Sequence, residues 1–437
     1  MKGLFFTYSL TYGGAVVYLF YPFIGLLVYI CFSIIKPPAM WYWAGLHPPP
    51  LEIGYDRIVA IAMLIGWVIK GTGDWKLGRA GPIALCLVAF GTWSVVGWAC
   101  SDVPALAWPP IMETAKIVLA FLIGVTLIDS VPKLKALAWV IALSTGYWAY
   151  EMNLSYYAGY NRLGMEGFAA SDNNCAALAM VTGAGLALFL GLHERRIWLK
   201  ALALLSAVLI AHAVMFSWSR GGMLGLIVTA ITAFVLVPRK PSHYVVFGLV
   251  LLLGLRLAGD QVRDRFMTVF VDPKERDASS TSRLEYWGYC LDTMKRNPLL
   301  GSGPGHWPLE CQRRNVRLIY GDSVWFQCGA DYGVPGLALL LMFYGFCVVR
   351  LWPMTRRRAK VPDPWFPDAA RGIIASLAGF AVAGSFVSLV GLELPYYLVM
   401  MGAAMLKIAS QRQSAPSPGP YLEEPLHQAE PALSGHP

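Results

Sequence analysis

The chain has 437 residues, of which 57% are hydrophobic and only 14% charged. A soluble globular chain is nearer 45–50% apolar and about 25% charged, so a water-soluble domain is excluded, and apolar runs without two-residue alternation argue against a closed barrel. The net charge of +9 sits mostly in short connectors, which is a membrane-orientation signal and not a nucleic-acid one.

Apolar runs long enough to cross a bilayer recur at about 3–18, 20–36, 57–70, 83–100, 113–128, 134–153, 173–192, 197–217, 221–237, 244–258, 323–351, 369–390 and 394–409. The expected fold is therefore all-α: a polytopic helical membrane protein with about 12–13 transmembrane helices and one long helical periplasmic loop. It divides into N-terminal transmembrane helices (1–258), the loop (259–322), C-terminal transmembrane helices (323–409) and a Pro-, Ser- and Glu-rich tail (410–437) expected to be disordered in the cytoplasm. The basic connectors "KGTGDWKLGR", "DSVPKLK", "HERRIWLK", "VPRKPSH" and "RLWPMTRRRAK" alternate with nearly uncharged ones such as "CSDVPALAWPP". Placing the basic set in the cytoplasm puts 37–56, 101–112, 154–172, the Ser217–Gly222 turn and 259–322 outside. Twelve spans from residue 20 onward satisfy this parity. The segment 3–18 is then a thirteenth span, a re-entrant piece or half of a broken first helix.

The long loop contains "SRLEYWGYCLDTMKRN". Ser282 and Glu285 stand at capping-box spacing, and Leu284, Trp287, Leu291 and Met294 mark one apolar face. Pro298 should end this helix after Asn297. The following "PLLGSGPGHW" is not a dinucleotide loop, because a helix and not a strand precedes it. Gly301, Gly303 and Gly305 there suit a tight turn with positive φ. Eight cysteines show no metal spacing; Cys290 and Cys311 share the loop and form a disulfide candidate if it is external.

Ionisable residues near membrane depth are costly and often functional. Lys116 in "ETAKIVLAF" is either a snorkelling lysine or a site cation. Arg162 in "GYNRLGMEGF" and Arg283 are either solvated charges or ligands. Asp172, Asn173 and Asn174 in "SDNNCAAL" serve at least as helix caps. Arg220 in "FSWSRGGMLG" lies in an almost uninterrupted apolar stretch. All four cations fall on the external side. Arginine holds phosphate and pyrophosphate through bidentate contacts, so the residues point to binding of an anionic, lipid-linked phosphate.

The ordered set "TAKIVLAF", "RLGMEGF…DNNCAAL", "SWSRGGMLGL", "SRLEYWGYCLDTMKRNPLLGSGPGHW" and "DSVWFQCGADYGVPGL" resembles the O-antigen ligase/polymerase superfamily, including its O-glycosylation ligase-like branch. The resemblance spans most of the chain. It implies transfer of a glycan from an undecaprenyl pyrophosphate-linked donor to an acceptor hydroxyl on the periplasmic face of the bacterial inner membrane. The acceptor is lipid A-core in ligases, another glycan in polymerases and a protein in O-oligosaccharyltransferases. No cofactor or metal is implied, since pyrophosphate is already a good leaving group. By motif, Arg220 and Arg283 would neutralise the pyrophosphate, with Lys116 and Arg162 in support. Family ligases begin the last motif with histidine, whereas this chain has Asp322 there. Either Asp322 or His306 would then act as base, with Asp322 preferred, or the activity is altered. Asp331, Gly333 and Gly336, at the family's acidic and glycine positions, read as helix packing. A transporter of a lipid-linked or anionic solute is the alternative from a different class; no internal repeat of the kind transporters carry is visible.

Overall fold

The computed structural model describes residues 2–41, 54–169, 171–237, 278–316, 322–356, 359 and 361–414. The expected span 244–258, the first part of the loop (259–277), most of the connector 37–56 and the tail from 415 lie outside the described residues. Among those described, every regular element is helical, and the protein is an all-α polytopic membrane protein. The main helices are α1 (Lys2–Phe20), α2 (Pro22–Ile35), α3 (Tyr55–Ile69), α4 (Gly81–Ala99), α5 (Pro104–Leu127), α6 (Val131–Tyr157), the one-turn α7 (Arg162–Glu166), α8 (Asn173–His193), α9 (Ile197–Phe216), α10 (Arg220–Leu236), α11 (Ala278–Arg296), α12 (Trp307–Arg313), α13 (Val324–Leu351), α14 (Phe366–Ala383) and α15 (Glu393–Ser414). Eight helical segments among the described residues are long and apolar enough to cross a membrane.

Two faces emerge from the contacts between helix ends. On one, Arg162 Nη2 donates to Ala39 O (2.7 Å), Asn161 to Phe216 O (2.8 Å), Asn173 to Ser217 O (2.7 Å), and Arg313 pairs with Asp102 (3.0 Å). On the other, His193 meets Asp368 (2.9 Å), Arg371 Nη2 donates to Thr355 O (2.6 Å), and Gln411 donates to Asp74 (2.5 Å). Lys407, fully buried, donates to Val125 O at 2.7 Å there. These contacts join only connectors that the charge pattern put on the same side. We call the first the loop face and the second the basic face.

The segment 3–18 resolves as part of a full crossing. α1 contains a π-helical stretch, Ser9–Gly13. Phe6 packs edge-on against Trp41 at the loop face, and Gly66, near the basic end of α3, abuts the Tyr18–Leu19 backbone. α1 therefore runs antiparallel to α2 from the loop face to the basic face. Small residues let the inner helices approach closely, as membrane packing requires: Gly185 of α8 lies against Ser376 of α14, and Gly225 of α10 against Gly379.

Two details differ from the sequence reading. α11 begins at Ala278, so Ser282 lies inside the helix and not at its N-cap. Its buried face is Tyr286, Cys290 and Thr293, while Leu284 and Leu291 are exposed. The polar groups win that face because they are satisfied: Tyr286 donates to Gln327 Oε1, and Thr293 Oγ1 donates to Tyr289 O and accepts from Arg314. The tail also starts later than 410, since α15 continues to Ser414.

Cys290 is a free thiol, buried with Cys311, Tyr286 and Trp307 in one small cluster. Burial pushes the Cys290 thiol up to about 12, leaving almost no reactive thiolate at neutral pH. Cys100, at the loop-face end of α4, is exposed. In the folded protein a maleimide should label Cys100 rapidly and leave Cys290 and Cys311 unlabelled until denaturant is added; mass spectrometry of the alkylated peptides checks this.

Candidate functional site

The turn that follows α11 is built into a break in a transmembrane helix. Inside α13, Gly333 has φ 71° and ψ −175°, and Pro335 lacks an N–H. The helical bond from Val334 N to Ala330 O is replaced by two bonds to the turn. Ser302 N donates to Ala330 O (2.8 Å), and Val334 N donates to Pro298 O (2.8 Å). Trp93 Nε1 of α4 donates to Tyr332 O at 2.9 Å. Irregular backbone at membrane depth requires such replacement partners. Gly301, Gly303 and Gly305 all have positive φ, as the tight-turn reading expects. At Gly301 the need is steric too, since a Cβ would stand 2.2 Å from Ala330 O.

His306 closes this turn. Its Nδ1 lies 2.8 Å from Pro304 O and its Nε2 2.8 Å from Ser101 Oγ. A carbonyl only accepts, so Nδ1 carries the proton and Nε2 accepts from the Ser101 hydroxyl. The ring is 3% exposed. Nδ1 holds the ring within the turn and Nε2 joins it to the α4–α5 connector, which gives His306 a fixed structural position.

On the loop face a cavity of about 480 Å3 opens between α5, α8, α12, α13 and the segment before α15. Its carboxylates are Glu113, Asp172, Asp322 and Asp331. Asp322 precedes the N-cap of α13, Ser323, whose Oγ accepts from Phe326 N. From α11, Arg283 Nε donates to Asp322 Oδ2 at 2.5 Å. Lys116 Nζ donates to Glu113 at 2.6 Å. Asp172 caps α8 by accepting from Cys175 N at 2.8 Å, as its sequence context suggested. Asp331 is different: it is 8% exposed, and its Oδ1 has no hydrogen-bond partner among the described residues.

Of the four expected cations, Arg283 and Lys116 are thus each paired with a carboxylate of the cavity wall. Arg162, at the start of α7, turns to Ala39 O and to Glu166 (3.6 Å), away from these two. Arg220 is half-buried at the first turn of α10, behind the N-cap Ser219. Its neighbour Gly221 touches Phe386, whose ring faces Trp287 of α11. So α11 carries Arg283 toward the cavity and packs beside the corner that holds Arg220.

One further cation was missed by sequence reasoning. Lys36 follows α2 in a left-handed conformation, φ 46°. It lines a smaller cavity, about 120 Å3, that shares Glu113 and Gly391 with the first. A lysine between an apolar run and two prolines was the available signal. Beyond the cavity, Arg314 holds α11 to α12 by donating to Asp292 (2.6 Å), Glu310 (2.7 Å) and Thr293 (2.9 Å). The Arg314 guanidinium keeps the Asp292 carboxyl below its ordinary range.

No curated protein matches the chain. Residues 205–341, from the middle of α9 into α13 and including Arg220, Arg283, the glycine turn and the α13 break, match the family described as O-antigen ligase, and this match supports an O-antigen ligase-like, glycan-transferring membrane protein.

Proposed function

We propose that the protein transfers a glycan from an undecaprenyl pyrophosphate-linked donor to an acceptor hydroxyl at the loop face, read as the periplasmic face of the inner membrane. The observation that carries this reading is the Arg283–Asp322 contact at the cavity wall. It sets a pyrophosphate-binding group beside a proton acceptor. In this mechanism the donor's pyrophosphate takes over the Arg283 guanidinium, with Arg220 contributing from α10. Both cations oppose the charge that grows as the anomeric C–O bond breaks. Asp322, released from its ion pair, accepts the proton of the attacking hydroxyl as the new glycosidic bond forms, and the lipid pyrophosphate leaves. His306 positions the turn, and Lys116 and Arg162 support the surrounding loops.

The test is Asp322→Asn, which keeps the shape and removes the base. Transfer from a fluorescent lipid-linked oligosaccharide should fall by about 10²–10⁴-fold, while binding of a short-chain polyprenyl pyrophosphate persists. Unchanged transfer at normal protein level would remove Asp322 from the mechanism.

A further inference from the structure

The four wall carboxylates of the main cavity are not compensated equally. Arg283 neutralises Asp322 and Lys116 neutralises Glu113. Asp172 accepts from the neutral donors Cys175 N and Asn174 Nδ2. Asp331 presents to the cavity a buried Oδ1 that has no partner among the described residues. Among the described residues no lysine, arginine or histidine lines it. A pyrophosphate is a poor occupant of such a space, because no cation among the described lining residues is left to meet its charge. A metal is not invited either: among the described residues no three His, Cys, Asp or Glu side chains are grouped to hold one.

A desolvated carboxylate oxygen without a donor is unfavourable until a hydrogen bond is supplied. The rest of the wall is mostly apolar and includes the aromatic rings of Phe90, Trp307, Tyr332 and Tyr396. Flat apolar surface around a few convergent acceptors suits a ring that bears both C–H faces and hydroxyl donors. The volume, about 480 Å3, falls in the roughly 300–1,000 Å3 range of small-molecule sites.

We infer that this cavity is the acceptor subsite, that it takes an uncharged sugar in preference to a phosphorylated one, and that Asp331 receives a sugar hydroxyl and sets that preference. The inference rests on the proposed glycan transfer and adds to it the chemical class of the acceptor. The donor pyrophosphate then lies on the Arg220–Arg283 side, and the two substrates meet across Asp322. Asp331 acts in recognition, with the proton going to Asp322.

Binding of a neutral hexose trisaccharide and of its 6-phosphate counterpart to the full chain in nanodiscs tests this, with a short-chain polyprenyl pyrophosphate as an independent donor probe. The wild type should bind the neutral sugar at least ~10-fold more tightly than the phosphorylated one. Asp331→Asn should bring the two within ~3-fold, Asp331→Ala should weaken the neutral sugar at least ~10-fold, and neither should alter polyprenyl pyrophosphate binding. Equal binding of both sugars by the wild type overturns the inference without any variant, as does binding of neither. Discrimination that persists in Asp331→Asn overturns the role of Asp331. Failure of the donor probe to bind the wild type would instead count against the proposed function itself.

Discussion

Replacing Arg283 with alanine is expected to reduce glycan transfer by about 10²–10³-fold, the usual effect of removing one group that stabilises developing negative charge. The protein should still accumulate at the wild-type level. Its ion pair with Asp322 is partly exposed, at 20% and 36% for the two side chains, and exposed pairs contribute only about 0–1 kcal/mol to stability. Arg220→Ala should behave alike. Arg283→Lys should recover part of the loss, since lysine keeps the charge but not the planar fork. The measurement is the initial rate of transfer from a lipid-linked oligosaccharide in proteoliposomes, normalised to protein by in-gel fluorescence. Full activity in both alanine variants would refute the pyrophosphate site. Loss of accumulation would show that α11 needs Arg283 for folding instead.

Gly333→Ala is expected to destabilise the whole membrane domain. Its φ of 71° is one that residues with a Cβ rarely adopt, and the added carbon would stand 2.1 Å from Leu299 O. The backbone conformation alone costs about 1–3 kcal/mol in a non-glycine residue, and the carbonyl must move as well. The turn would have to leave the α13 break, freeing Val334 N and Ala330 O at membrane depth. A lowered melting temperature in detergent and a broadened size-exclusion peak are the expected readouts. Gly288→Ala is the control, because nothing among the described residues lies within 4 Å of where its added methyl would stand; it should melt at or above the wild-type temperature, as alanine favours helix. Equal behaviour of the two variants would mean that the break is not held by this packing.

The helices were legible because a bilayer demands long apolar runs, and the two faces because basic residues concentrate in alternate connectors. The α13 break was not read, although "GADYGVPG" carries both a glycine and a proline: the segment passes as one span, and the turn that satisfies it lies some thirty residues earlier. The α11 face was read correctly at Trp287 and Met294, which pack against Phe326 and Gly329, and misassigned at Leu284 and Leu291 for a related reason. Hydrophobic spacing favoured Leu284 and Leu291, but Tyr286, Cys290 and Thr293 are buried, with partners from outside α11 satisfying Tyr286 and Thr293. The residue types of the site were readable one by one. Their pairing was not, since Arg283 lies on α11 and Asp322 at the start of α13. Asp331 reads as packing in sequence because its distinction, an Oδ1 without a partner among the described residues, appears only in three dimensions.

The α13 break also bears on how the chain is assembled in the membrane. A straight α13 would close the bond from Val334 N to Ala330 O within the helix, but it would set the Pro335 ring against the Asp331 carbonyl. The bent form needs carbonyl and amide groups from residues 298–302, and these arrive only once the preceding loop has packed at the loop face. The break is therefore complete only when the turn is seated in it, which ties the shape of α13 to the packing of the loop. A chain without that seating has no fixed relation between the turn and Asp331.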